Sequence, residues 1–405
     1  MEMNPDSPRK GSVAVVYGVP AGAGGLGVQA ANVIASLAGS GPTVHAFGPA
    51  GKNSLALLQE PSSIVWHQAP QLLPAAVSRY TPWRWYQGQF QFQTDRLIGH
   101  WARTRIEESS PDLCYVFTQV GLETLKWAKA AGVPTVLDNP NGHIRHYREV
   151  CVRESKQWCD SGYSGHPTEA MVQRVEEEYA LADRIRVSSQ WAKDSMVAHG
   201  VLSQKIEVIA QPIDLTRFRP SSTSRELEQP LRICFVGQVN LAKGFVYLTR
   251  AIKQLGARHA SLEIVGATGD RQARRLFEQE RADISVISAP GDPVPAYHRN
   301  ELLVLPSLHD GFGFVVAEAM ACGLPVIVTE DCGAAGLVRE NESGWIVPAG
   351  EVEPLALALE DALTARRHLA NMGSRGRLQV QADAGPRCLN SLRAWVWGDE
   401  ELAFA

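Results

Sequence analysis

The sequence predicts an α/β protein in two Rossmann-like halves that face each other across a cleft, and three observations lead there. The 405 residues are too many for one average domain. Short apolar, β-branched runs alternate with helix-length amphipathic stretches from end to end, as buried parallel strands in βαβ units do. That series stops at a polar stretch bounded by prolines, Arg219 to Pro230, and then begins again.

In the first half the runs Val13–Tyr17, Thr43–Phe47, Leu113–Phe117, Thr135–Leu137 and Ile185–Ser188 read as strands. The second series opens at Leu231–Val236 and continues with Leu262–Val265, Ser285–Ile287, Leu302–Leu305 and Val326–Val328. The expected division is residues 1–215, then 216–385. A tail over about 386–405, with Leu389, Leu392, Trp395 and Val396 at helical spacing, is expected to pack back on the first half.

Composition excludes several classes of function. Thirty-nine basic residues against 43 acidic ones give a net charge of −4 with no long run of one sign, so a nucleic-acid footprint is missing. Seven cysteines, an odd number with no C-x-x-C among them, read as reduced core thiols rather than a disulfide framework or a zinc site. The run Val13–Tyr17 is cut by Gly18 and Pro20, too short for a signal peptide or a membrane span. A cytoplasmic protein without bound metal is expected; peripheral membrane contact stays open but unsupported, and the oligomeric state is not legible.

Gly22-Ala-Gly24-Gly25-Leu-Gly27 follows the first strand and precedes an expected helix from Val28 to Leu37. The spacing satisfies G-x-G-x-x-G, yet a dinucleotide site also needs an acid at the end of the second strand for the ribose. Thr43 to Pro49 has none, and the next acid is Glu60. The glycines therefore make a tight turn, or let backbone amides approach a phosphate or sugar.

The strongest signal is Ser307-Leu-His-Asp-Gly-Phe-Gly-Phe-Val-Val-Ala-Glu-Ala-Met320. A strand ends at Leu305, a turn with two glycines follows, and a helix begins near Phe314 with its free amides at the sheet's mouth. Asp310 and Glu318, eight apart, can both face a ligand over the strands' C-terminal edges, and a carboxylate suits a vicinal diol.

This segment resembles the E-x7-E region of the retaining glycosyltransferases of family 4, whose GT-B architecture pairs two Rossmann-like domains. Other stretches agree in order: Gly24-Gly25, Ala182-Asp183 with Val187-Ser188-Ser189, Pro212 to Pro220, Phe235-Val-Gly237 with Lys243-Gly244, and Gly344 to Pro348. The resemblance implies sugar transfer from a nucleotide-diphosphate sugar, a UDP- or GDP-sugar, bound in the second half, to a carbohydrate-type acceptor bound in the first. It implies that Glu318 holds the donor ribose and Lys243 the diphosphate. Amides of Gly311, Phe312, Gly313 and Phe314 would cradle sugar and phosphates, Asp310 would meet the sugar hydroxyls, and Gly24, Gly25 and Gly237 would border the donor. The family usually has Glu at the place of Asp310. It usually has Arg at the place of Gln238, so this chain lacks one diphosphate cation.

On the acceptor side, Asp138-Asn-Pro-Asn-Gly-His-Ile-Arg-His-Tyr-Arg148 follows a strand end and is dense in polar and cationic groups. The resemblance puts His143 between donor and acceptor, so it is the expected active-site group, with Asn141 helping and Arg145 binding an acidic acceptor or phosphate. Retention would follow from same-face transfer, the donor's own phosphate taking the acceptor proton. Six aromatics within Tyr80–Phe92 read as helix-packing core before an acceptor platform, and Glu176 to Glu178 as a solvated helix face. Rival readings are a phosphorylase or sugar-nucleotide epimerase on the same architecture, a non-catalytic sugar-nucleotide binder, and an oxidoreductase.

Overall fold

The computed structural model describes residues 11–39, 41–50, 63–70, 87–159, 165–221, 230–256, 258–267, 271–281, 286–289, 291–385 and 387–398. In the first half, strands β1 (Ser12–Val16), β2 (Thr43–Pro49), β3 (Ile64–Ala69), β4 (Leu113–Phe117), β5 (Thr135–Asp138), β6 (Arg184–Val187) and β7 (Ile206–Val208) form one sheet in the order β3-β2-β1-β4-β5-β6-β7. In the second half, β8 (Leu231–Val236), β9 (Ala260–Val265), β10 (Val286–Ala289), β11 (Leu302–Leu305), β12 (Val326–Thr329) and β13 (Gly344–Val347) form another, in the order β10-β9-β8-β11-β12-β13. Neighbouring strands pair in parallel in both sheets.

Central strands are apolar on both faces because helices cover both. Val13 to Val16, Cys114 to Val116 and Leu302 to Leu305 are fully buried. Each sheet reverses its strand order once, between β1 and β4 in the first half and between β8 and β11 in the second. At such a reversal the adjoining loops diverge and open a crevice beyond the strands' C-terminal ends. The two crevices are where the candidate residues gather.

Three strands carried no run in the sequence. β3 is an edge strand with only Ala69 buried; β7 has three residues; β13 begins at Gly344. The first helix also corrects the reading, for it starts at Gly24 rather than Val28, so Gly24, Gly25 and Gly27 lie in its first turn. A Cβ at Gly27 would collide with the Pro20 carbonyl oxygen, so that glycine lets the helix approach its own entry loop. The linker residues 222–229 and the aromatic residues 80–86 lie outside the described residues.

After the second core is complete, the helix Leu369–Asp383 still packs within it through Leu369, Met372 and Val380. The next helix, Arg387–Trp397, joins the first core through Leu392 and Val396. Ser36 Oγ donates to the Leu389 carbonyl at 2.7 Å, and Arg184 donates to the Trp395 carbonyl at 2.7 Å while its guanidinium lies 4.7 Å from the Trp395 ring. Where the chain passes between halves, Ile213 N donates to the Ala384 carbonyl at 2.9 Å.

Candidate functional site

In the second half, the loop after β8 carries Gly237 and Gln238 and leads to a short 3-10 turn, Leu241–Lys243. Asn240 Oδ1 caps that turn by accepting from Lys243 N at 3.0 Å, and Asn240 Nδ2 donates to Gln238 Oε1 at 3.3 Å. The loop after β11 lies alongside, tied to the turn by Leu308 N donating to the Ala242 carbonyl at 2.8 Å. The Lys243 ammonium thereby meets the Asp310 carboxylate in a close ion pair, both side chains partly open to solvent. Asp310 is itself fixed through its backbone: its N–H donates to the Asp331 carbonyl at 3.1 Å and its carbonyl accepts from Gly333 N at 2.8 Å.

Beyond Asp310 the helix Phe314–Ala321 begins at Gly313, whose φ of 79° places it in the left-handed region, with no side chain capping the first turn. Its leading amides follow Asp310, the partner of Lys243, by four residues in the same loop, and an uncapped helix N-terminus suits negative charge. Gly311 is required for a different reason. A Cβ there would collide with the Pro140 carbonyl oxygen of the first half, so the loop can touch the opposite wall only without a side chain. Phe312 and Phe314 meet edge to face at 5.1 Å, and Gly25 lies against the Phe314 ring.

Glu318 stands one turn into that helix. Its Oε2 accepts from the Tyr297 hydroxyl at 2.9 Å, and burial raises its pKa against that hydrogen bond. The ion pair of Arg217 and Asp292, at 2.9 Å, adds opposing charges nearby.

The first half offers a cavity of about 250 Å³ at its own strand reversal, lined by Tyr17 and Gly18 after β1, Phe117 and Thr118 at the end of β4, and Asn139 to Gly142 after β5. Asn141 is part of this lining. His143, at 2% exposure, is turned inward. It caps the helix Ile144–Trp158, its Nδ1 accepting from Arg145 N at 3.2 Å, and its ring stacks on His199 at 4.5 Å. Burial, with His199 alongside, pushes its pKa down to about 4, so at neutral pH the ring is uncharged with its proton on Nε2.

Arg145, expected to bind an acidic acceptor or phosphate, has its guanidinium paired with Glu176 at 2.8 and 2.7 Å and reaching Glu169 at 3.5 Å, against the neighbouring helix. The expected solvated run Glu176 to Glu178 splits likewise: Glu178 is fully buried, accepting from Gln119 N at 2.7 Å and from Gly121 N and Leu122 N at 3.0 Å. Asp138 is structural too, joined in the core to Arg186 at 3.1 Å and to the Tyr115 hydroxyl at 2.5 Å.

Two groups escaped the sequence altogether. His309 of the second half enters a ring cluster of the first, 5.2 Å from His146, 5.0 Å from Tyr147 and 5.0 Å from Trp191. Trp191 Nε1 donates to Asp331 Oδ1 at 3.0 Å and Ser189 Oγ to the Gly311 carbonyl at 2.6 Å, so the halves are bound to each other beside the crevice. The other group is Asp95, buried on the helix Gln87–Ser109 with its carboxyl at the cavity wall. Among the described residues no set of three or more His, Cys, Asp or Glu is arranged to hold a metal, and no helix is long and apolar enough to cross a membrane.

Residues 219–379 match the family model described as glycosyl transferases group 1. The chain is 29% identical over 233 residues to D-inositol 3-phosphate glycosyltransferase of Rhodococcus erythropolis, covering 52% of this chain and 53% of that protein. It is 29% identical over 220 residues to a putative colanic acid biosynthesis glycosyltransferase, WcaL, of Salmonella typhimurium, covering 50% and 53%. The chain thus spans about half the length of the curated relatives it matches. Among solved structures, sucrose-phosphate synthase from Thermosynechococcus elongatus superposes with a TM-score of 0.74 at 19% identity, covering 98% of this chain and 100% of that one. Anabaena HepE in complex with UDP-glucose superposes with a TM-score of 0.69 at 16% identity, covering 96% and 99%. The fold is GT-B, two facing Rossmann-like domains, and its second half is the part that matches the glycosyl transferases group 1 family.

Proposed function

We propose that this protein is a retaining, metal-independent glycosyltransferase that takes a sugar from a nucleotide-diphosphate sugar and places it on an acceptor hydroxyl in the cytoplasm. The observation that carries the reading is the Lys243 ammonium paired with Asp310, in the loop that leads into the uncapped helix Phe314–Ala321, at the strand reversal of the domain that matches the family. As the donor's C1–O bond to the diphosphate breaks, charge builds on the departing oxygens, and a fixed cation and helix N-terminus stabilise that charge without a metal. Asp310 neutralises Lys243. A diphosphate would displace the carboxylate, leaving Asp310 to meet sugar hydroxyls.

Glu318, already hydrogen-bonded by Tyr297, is the acceptor for the ribose diol. The acceptor oxygen would bond C1 on the face the diphosphate leaves, its proton passing to the departing phosphate oxygen. His143, neutral and inward, supports the wall between the two crevices in this arrangement. Support for a uridine donor comes from HepE, solved with UDP and with UDP-glucose.

The test is thermal stabilisation by uridine, guanosine and adenosine diphosphates and their sugar conjugates, with chelator present, followed by transfer assays. A ligand at 100 times its dissociation constant adds about 2.7 kcal/mol. One diphosphate and its sugar standing out, with transfer that survives chelation, is the expected result. Stabilisation by nicotinamide dinucleotides alone would overturn the reading, as would turnover that consumes inorganic phosphate or epimerises the donor with no acceptor present.

A further inference from the structure

We propose that Asp95 selects the acceptor, and that the first-half cavity takes an uncharged, hydroxyl-rich molecule rather than a phosphorylated one. The assignment rests on the transfer reading above and names the substrate class of its second site.

Asp95 is 2% exposed on the helix Gln87–Ser109 and lines the cavity. Its Oδ1 accepts from Gln91 Nε2 at 2.8 Å, while its Oδ2 has no hydrogen-bond partner among the described residues. A buried carboxyl oxygen without a donor is costly, and a ligand hydroxyl in the cavity supplies the donor that the protein leaves out. Burial also pushes the carboxyl up to about 7, so at neutral pH it can either accept from a hydroxyl or donate to one.

Charge on the remaining lining points the same way. Among the described residues no lysine or arginine lines the cavity. Arg174, the cation that acts on Asp95 electrostatically, is bound to Glu123 at 2.8 and 2.5 Å and to the Gln119 carbonyl at 2.7 Å; Arg145 is bound to Glu176. A phosphate placed here would face a carboxyl with no cation to neutralise it. Tyr17, Phe117, Tyr147 and Tyr179 instead present aromatic surface, which suits the C–H faces of a sugar ring or cyclic polyol. This differs from what the names of the inositol-phosphate relatives describe for those proteins.

The experiment uses the full chain with the nucleotide sugar that stabilises it, and offers glucose, fructose and myo-inositol against their monophosphates. The wild type should prefer the uncharged member of a pair by at least about tenfold in kcat/KM. Asp95→Ala should raise KM for that member by about tenfold to a hundredfold while kcat changes little, with Asp95→Asn between the two. A merely structural Asp95 would lower the melting temperature or kcat without this split, and that pattern would overturn the proposal. So would preference for the phosphorylated member by the wild type. Stabilisation by the nucleoside diphosphate, measured on each variant, reports that fold and donor crevice remain. Failure of every nucleotide sugar to stabilise the wild type would instead overturn the transfer reading, and the acceptor assignment with it.

Discussion

The two halves share one strand order over six strands and differ in where they place their charged pairs. In the first half ionic groups are sunk into the core: Arg186, among the largest fully buried side chains, donates to Asp138 at 3.1 Å and to the Ile209 carbonyl at 2.6 Å, and Glu178 collects three backbone amides. In the second half β11 and β12 are apolar; the buried pair there, Glu301 with Arg366 at 2.8 Å, lies at the start of β11, while Lys243 with Asp310 stands at the crevice where both members remain partly open to solvent. The first sheet carries its buried pair on the strands themselves, Asp138 on β5 with Arg186 on β6, and the second leaves its strand ends at the crevice to a pair that a ligand can reach. Similar topology is therefore no guide to which ionic residues act in binding; depth and prior engagement are.

Substitutions can break this contrast, beginning with the largest effect. Arg186→Met removes the ionic partner of Asp138 in the core, leaving it to the Tyr115 hydroxyl and the Gln29 amide, and should lower unfolding free energy in urea by about 3–5 kcal/mol. A loss below about 1 kcal/mol would mean that the buried pair does not hold the first half together. Lys243→Ala should do the reverse. Its ion pair is partly exposed, so stability should change by no more than about 1 kcal/mol, while kcat should fall by about 10²–10³. Equal activity in wild type and variant would remove the lysine from the donor site.

The smallest effect is in pH dependence. The folded-state pKa of His143 lies near 4, below its ordinary 6.5. Folding therefore favours the neutral ring; this contribution is present above pH 6.5 and is lost as pH falls through 6.5 toward 4. Between pH 7 and pH 5 the group accounts for a loss of about 2 kcal/mol. In His143→Gln the fall in urea stability over that interval should be smaller by that amount, and an unchanged fall would show that the titrating groups lie elsewhere.

How legible the site was in the sequence follows from how local each part is. Asp310 through Phe314 and Glu318 fall within nine consecutive residues, on one loop and the first turns of one helix, so their joint placement could be read from order alone. Lys243 comes from another loop, and only the resemblance brought it to Asp310. Arg145 read as a ligand group because sequence shows charge near a strand end but not the partner, Glu176, that pairs with it. Asp95 had no signal. Its neighbours Thr94 and Arg96 form no motif, and the cavity it faces is assembled from three strand ends between 22 and 78 positions away in the chain, counting Phe117 and Tyr17 as the nearest and farthest of the residues at the ends of β1 and β4. β3 was missed for a physical reason as well: an edge strand needs no apolar alternation where only one residue is buried.

The hydrogen bond from Ile213 to Ala384 has a mechanical consequence. The chain leaves the first half once and returns to it once, and this bond pins the two crossings together. The helix Ile144–Trp158 bridges the halves as well, its Glu154 accepting from the Tyr247 hydroxyl at 2.7 Å and its Val150 packing in the second core, so the halves meet along a line of contacts and not at one pivot. The crevice lips, joined by Ser189 to Gly311 and Trp191 to Asp331, continue that line.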